Sequence, residues 1–242
     1  MSIAEKLVTV SENASRAVEL NRDLETILAG GNTGGKSEMD EFWDLYQSNG
    51  TRLDHLGAFC GTGWRNENFK PKYDIKPGTA YMMFRGALIS GDLVDTLSKL
   101  GVSLDFSGCT DVRFAFMSSQ ITRLGVIDLS SATLTESMFN GARQLRTIDK
   151  LILKADGSQT FSSFFNNTSE LENITIEGTI GNNIDFSACT KLTHDSLMSI
   201  INHLQDKTGA ATKPVLTIGT TNYKQLTEEE RKIATDKNWE VV

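Results

Sequence analysis

Along residues 3–28 the apolar positions recur at alternating steps of four and three. Ile3, Leu7, Val10, Ala14, Ala17, Asn21, Leu24 and Leu28 fall on alternate d and a positions of a heptad. A straight α-helix drifts by about 20° per heptad against a 3.5-residue repeat, so a strict seam of this kind implies a supercoiled partner helix. Asn21 at an a position is the type of polar core residue that fixes register and strand number. Val18, Leu20 and Ile27 widen the stripe and favour more than two strands, so the segment predicts a homotrimeric stalk. The other reading of the pattern is a single surface helix lying on the domain behind it. AGGNTGG at 29–35 follows, with four glycines in seven residues. It predicts a flexible joint over 29–36, and it detaches the helix from any core.

A second pattern opens at Ser37, an expected N-cap for a helix over 37–47 with acids in its first turn. Phe42, Trp43, Leu45 and Tyr46 give that helix an aromatic face, and SNG at 48–50 is a stop signal. Residues 51–78 show no clear period. Helix and loop together predict an N-terminal cap over 37–78. Trp64 in that loop is expected in the core, with a sugar-stacking surface position as the alternative.

From 79 to 218 the chain repeats. LDFSGCTDV (104–112), IDLSSATLT (127–135) and IDFSACTKL (184–192) align without gaps. A second motif interleaves: Phe139, Leu145 and Ile148 match Phe165, Leu171 and Ile174 in spacing, and Phe116, Ile121 and Leu124 match with one residue deleted. The phenylalanines stand 23 and 26 residues apart. A period in the mid-twenties around L-x-x-I-x-x-L predicts an α/β repeat fold, a leucine-rich-repeat solenoid. Each turn would supply a short strand with alternate inward residues, such as Ile127 and Leu129 or Ile174 and Ile176. A return then brings a phenylalanine inward between layers. One turn cannot bury its own strand, so stacking creates the core. Cys109, Ala132 and Cys189 share one ladder position and predict a crowded corner. Leu197, Ile200, Ile201 and Leu204 predict a longer helix within 193–206. VLTIG (215–219) reads as a strand and 227–238 as a helix with a Thr227–Glu230 capping box. Trp239, Val241 and Val242 then dock on the end, giving a C-terminal helix–strand cap over 219–242.

Composition narrows the function. The formal charge is −7 and four basic against nine acidic residues fall in 1–50, so nucleic-acid binding has no electrostatic footprint. No window approaches a membrane span, and the N-terminus lacks the apolar core of a secretory signal. The expected route out of a cell is therefore lysis or carriage on a larger particle, after synthesis in the cytoplasm. Three cysteines without C-x-x-C spacing predict neither disulfide framework nor zinc site. His55, His194 and His203 have no partner at metal-ligand spacing. GAFCGTG (57–63) resembles a phosphate loop but lacks the Lys-Ser/Thr ending, and Cys60 within it has no matched base. No catalytic residue, cofactor or metal is expected, and the chain is read as a non-enzyme.

LDFSGCT, IDFSACT and the F-x5-L-x2-I spacing resemble BspA-like leucine-rich repeats of bacterial surface and phage-associated proteins. Over residues 38–242, the strings EFWDLYQSNGTR, GTGWRNENFKPKYDIKP, TIDKLILKADGSQTFSSFF, ENITIEGTIG, LTHDSLMSIINHLQDK and LTEEERKIATDKNWEVV are similar to the leucine-rich-repeat proteins encoded in prophage and phage tail modules of gut Firmicutes. That resemblance implies a tail-fibre or baseplate subunit of a virion or phage-tail-like particle. Its partners would be copies of itself, other tail proteins and a glycan or protein of the bacterial host surface. It carries over no catalytic residue and names no receptor-binding residue. Thr175 and Glu177 are candidates only because repeat stacks often bind through outward strand positions. The competing expectation is a bacterial leucine-rich-repeat adhesin or a protein-interaction scaffold acting as a monomer.

Overall fold

The computed structural model describes residues 57–242. The heptad seam from Ile3 to Leu28, the glycine joint and the helix expected over 37–47 lie outside the described residues. In chain order the elements are β1 (Ser90–Asp92), α1 (Leu93–Leu100), β2 (Gln120–Asp128), β3 (Thr147–Ile152), β4 (Asn173–Glu177), β5 (Ile184–Asp185), α2 (His194–Asn202), β6 (Val215–Thr217), α3 (Gly219–Tyr223), α4 (Glu228–Asp236) and β7 (Glu240–Val241). The strands form two sheets in sequence order, β1-β2-β3-β4 and β5-β6-β7. Every pairing is parallel. Parallel neighbours cannot be joined by a hairpin, so the chain must travel back after each strand before pairing again.

A second ladder of backbone hydrogen bonds organises that return path. Gly57, Phe59 and Gly61 donate to the carbonyls of Tyr81, Met83 and Arg85; Ala80, Met82, Phe84 and Gly86 to those of Asp111, Arg113, Ala115 and Met117. Val112, Phe114, Phe116 and Ser118 bond to Leu134, Glu136, Met138 and Asn140, and Ser137, Phe139 and Gly141 to Ser162, Phe164 and Asn166. The same backbone form recurs in five returns, each with two left-handed residues four apart: Gly57 and Gly61, Met82 and Gly86, Phe114 and Ser118, Ser137 and Gly141, Ser163 and Asn167. Between each pair sits an inward phenylalanine, in turn Phe59, Phe84, Phe116, Phe139 and Phe165, all buried. Hydrogen-bonded passes lie about 4.8 Å apart, so rings that repeat once per pass must stack offset, a favoured aromatic geometry. Phe84, Phe116, Phe139 and Phe165 do so, with centroids 5.2, 5.7 and 5.4 Å apart and planes within 9° of parallel. Phe59 and Phe186 extend the row at either end.

The aligned Asp-x-Ser motifs form the corners. Asp105, Asp128 and Asp185 each accept a hydrogen bond from the backbone N–H two residues on, at 2.7–2.9 Å, the local bond by which aspartate nucleates a turn. Cys109, Ala132 and Cys189 then donate back to Phe106, Leu129 and Phe186. All three small residues are fully buried, as a crowded corner requires.

The inward pattern of the strands differs in part from simple alternation. In β4 Ile174 and Ile176 alternate inward, but in β2 the buried positions are Ile121, Leu124 and Ile127, every third residue, before Leu129. In β3, Ile148 and Leu151 repeat this step, and the register to β4 slips by one residue between them. The extra residue in β2 and β3 lets the strand turn without moving its core contacts.

Both edges of the larger sheet are closed by side chains, which removes the open rows that invite edge-to-edge association. At β1 the Asn66 amide imitates a strand: its Oδ1 accepts from the Ser90 N–H at 2.8 Å and its Nδ2 donates to the Ser90 carbonyl at 3.1 Å. At β4 the hydroxyls of Ser196 and Ser199, three apart on α2, accept from the N–H groups of Ile174 and Ile176 at 3.0 and 2.9 Å. Helix α2 buries Leu197, Ile200 and Ile201, while Leu204 lies beyond its end in a bridge with Ile180. Thr227 and Glu230 make the expected capping box of α4, and Trp239 is buried with its indole N–H on the Gln205 carbonyl.

Candidate binding surface

None of the residues predicted to join copies of the chain (Ile3, Leu7, Val10, Ala14, Ala17, Asn21, Leu24, Leu28) lies among the described residues. Thr175 and Glu177 are exposed on β4. They belong to a strand face laced by ion pairs. Arg123 on β2 reaches Asp149 on β3 with two bonds of 2.9 and 2.8 Å and Asp92 with one of 3.2 Å, and Lys150 meets Glu177 at 2.8 Å. These charges are exposed and already paired, so each contributes little alone but holds the face in one arrangement.

Two of the concavities among the described residues bear on binding. One, of about 330 Å³, lies between α1 and β2 and is lined mainly by apolar side chains including Leu93, Leu97, Val102 and Val126. The other, of about 470 Å³, is lined by Thr160, Phe161 and Ser162, on the chain between β3 and β4, and by Asn182, Asn183, β5, Val215 and Thr217. In the sequence these residues are marked only by the Asp185 motif and by the strand expected over 215–219. The adjacent asparagines 182 and 183 ahead of a strand were the one further signal available.

His55 lies outside the described residues; the other groups considered for chemistry are occupied otherwise. Trp64 is 2 % exposed and packs edge-on against Phe59 with centroids 5.0 Å apart, so the sugar-stacking alternative falls and the core reading stands. In GAFCGTG the N–H groups of Gly57, Phe59 and Gly61 are spent on the neighbouring return, leaving them no phosphate to cradle. His194 meets Glu230 at 2.8 Å, and His203 meets the Ser199 carbonyl at 2.7 Å. Among the described residues no group of His, Cys, Asp or Glu is arranged to hold a metal ion, and no helix is long and apolar enough to cross a membrane.

Burial pushes the Cys60 thiol above its ordinary value, against a smaller opposing pull from Arg85. Burial, helped by the charge of Asp185, pushes Cys189 up to about 12, and Cys109 is fully buried. The thiolate is the reactive form, so the raised values keep Cys60 and Cys189 unreactive at neutral pH, and burial shields Cys109. Ellman's reagent at mildly alkaline pH is expected to leave Cys109 and Cys189 untouched and to reach Cys60 slowly. All three should react once concentrated guanidinium unfolds the chain. Rapid native labelling of Cys189 would overturn this account.

The chain matches no protein-family model, no curated protein and no solved structure.

Proposed function

We propose that the protein is a non-enzymatic binding subunit, a leucine-rich-repeat stack that presents a rigid surface to a glycan or protein of a bacterial cell envelope. In this reading it is carried on a phage or phage-tail-like particle as a tail-fibre or baseplate component. The observation that carries the reading is the repeated pass. Strand, aspartate corner and return recur with a phenylalanine at the same point, and the interior is filled by that aromatic row rather than by converging ionisable groups. Repeat architectures of this kind use their outer surface for recognition. The placement on a particle draws on the resemblance of residues 38–242 to tail-module proteins and on the heptad seam of residues 3–28. Weak single-site contacts become useful when several copies act together, which is what a three-fold stalk supplies.

Sedimentation of the purified full chain and of a variant lacking residues 1–28 tests the assembly. The full chain is expected to sediment as a trimer at micromolar concentration and the shortened one as a monomer. A full chain that is monomeric and unchanged by the deletion overturns the stalk and, with it, the attachment to a particle. Binding of the labelled full chain to intact bacterial cells tests the recognition half separately.

A further inference from the structure

We propose that the 470 Å³ cleft between residues 160–162 and strands β5 and β6 is a binding site for an uncharged sugar unit; the inference deepens the envelope-binding reading above and rests on it. The cleft arises from a break in the stacking. Earlier corners are tied to one another: the Ser131 hydroxyl donates to the Ser107 carbonyl at 2.7 Å, and the Thr133 N–H and hydroxyl both reach the Thr110 carbonyl. At the next junctions the chain makes an excursion through Gly178–Asn183 before β5 begins. Asn182 ties that excursion to the carbonyls of Gly157 and Gln159. Among the described residues no hydrogen bond then crosses from Thr160–Ser162 to β5 or β6, and the space between them stays open.

The lining groups define the ligand. The hydroxyls of Thr160, Ser162 and Thr217 and the Nδ2 of Asn183 make no hydrogen bond among the described residues, although Asn183 is held in place by its Oδ1, which accepts from the Val215 N–H at 2.9 Å. Asp185 keeps one carboxylate oxygen on its corner and has the other to offer. Phe161, nearly buried, and Val215 supply an apolar floor. The lining contains no lysine, arginine or histidine, and its single charge is negative. A phosphate- or carboxylate-bearing ligand would meet a carboxylate with no compensating cation. A polyhydroxylated neutral ring matches several neutral donors and acceptors around an apolar patch, in a cleft within the volume range of small-molecule sites.

Saturation-transfer NMR on the full chain tests this, with glucose, galactose, mannose, rhamnose, N-acetylglucosamine and N-acetylgalactosamine as probes and glucose 6-phosphate and glucuronate as charged counterparts. At least one neutral sugar is expected to show transfer, the charged sugars none. The signal should vanish in Thr160→Trp and Ser162→Trp, exposed positions where a large side chain fills the cleft without touching the core, and persist in Thr175→Trp on the strand face. Loss in Thr175→Trp alone, or preference for the charged sugars, overturns the cleft as the site. If no sugar shows transfer while the chain still binds bacterial cells, the cleft inference fails and the envelope-binding reading stands. If neither sugars nor cells are bound, both fail.

Discussion

Replacing Gly178 by alanine is expected to destabilise the folded chain by roughly 3 kcal/mol or more, the sum of left-handed strain and a core-type steric clash. The residue follows β4 with φ at +85°, and a Cβ added there would stand 2.2 Å from the Leu153 carbonyl oxygen and 2.8 Å from its carbon. That carbonyl belongs to backbone with no freedom to retreat. The Leu153 N–H is bonded to Glu177 at 2.8 Å, and the Thr179 N–H to Lys154 at 3.2 Å, so two adjacent passes are held together on both sides of the contact. Gly209 isolates the clash from the strain. Its φ is +84°, yet nothing lies within 4 Å of its added Cβ. Gly209→Ala should therefore cost only the left-handed strain, about 1–2 kcal/mol. Urea denaturation followed by circular dichroism compares the two, and equal losses would remove close approach of the passes as the explanation.

Gly178 also shows why part of this architecture was hidden from sequence. Its requirement comes from a backbone two dozen residues away, and no local pattern announces it. The legible features were those whose cause is local or whose residue type is fixed by packing. Asp105, Asp128 and Asp185 stand out because the corner needs a short carboxylate. Cys109, Ala132 and Cys189 stand out because all three are small and fully buried at one point of the pass. The returns are less uniform. Their first left-handed positions hold Gly57, Met82, Phe114, Ser137 and Ser163 and their second Gly61, Gly86, Ser118, Gly141 and Asn167, so only the central phenylalanine is present in all five. Phe59 and Phe84 escaped notice because the step from Phe84 to Phe116 is 32 residues, stretched by the insertion of α1. That helix carried its own signals: Asp92 caps it through the Asp95 N–H, Leu93 and Leu97 share its buried face, and Gly101 ends it in the left-handed region. Ile127 and Leu129 are both buried, as alternation predicts, but the three-residue steps before them in β2 and from Ile148 to Leu151 in β3 follow an extra residue in the strand, which hydrophobicity alone does not distinguish from a turn. The cleft was the least legible feature. It depends on where two passes part, and its hydroxyls and amides look in sequence like ordinary surface.

Truncating Phe139 to alanine is expected to cost about 3–5 kcal/mol, the range for removing a fully buried aromatic ring. The ring sits between Phe116 and Phe165, at 5.7 and 5.4 Å and within 9° of parallel to each, and meets the edge of Phe164 at 5.2 Å. Its removal leaves a void lined by rings that are themselves fixed by backbone ladders, since the Phe116 N–H is held by Met138 and the Phe139 N–H by Phe164. A site so constrained collapses poorly, which places the loss toward the upper part of that range. Phe139→Leu retains most of the apolar volume and should lose distinctly less. Location of the damage matters as much as its size. If the aromatic row links neighbouring passes, amide exchange in Phe139→Ala should quicken at Phe116 and Phe139 while the amides of β6 and α4 keep their protection. Uniform acceleration across the described residues would mean that the chain unfolds as one indivisible unit and that the row does not transmit stability pass by pass.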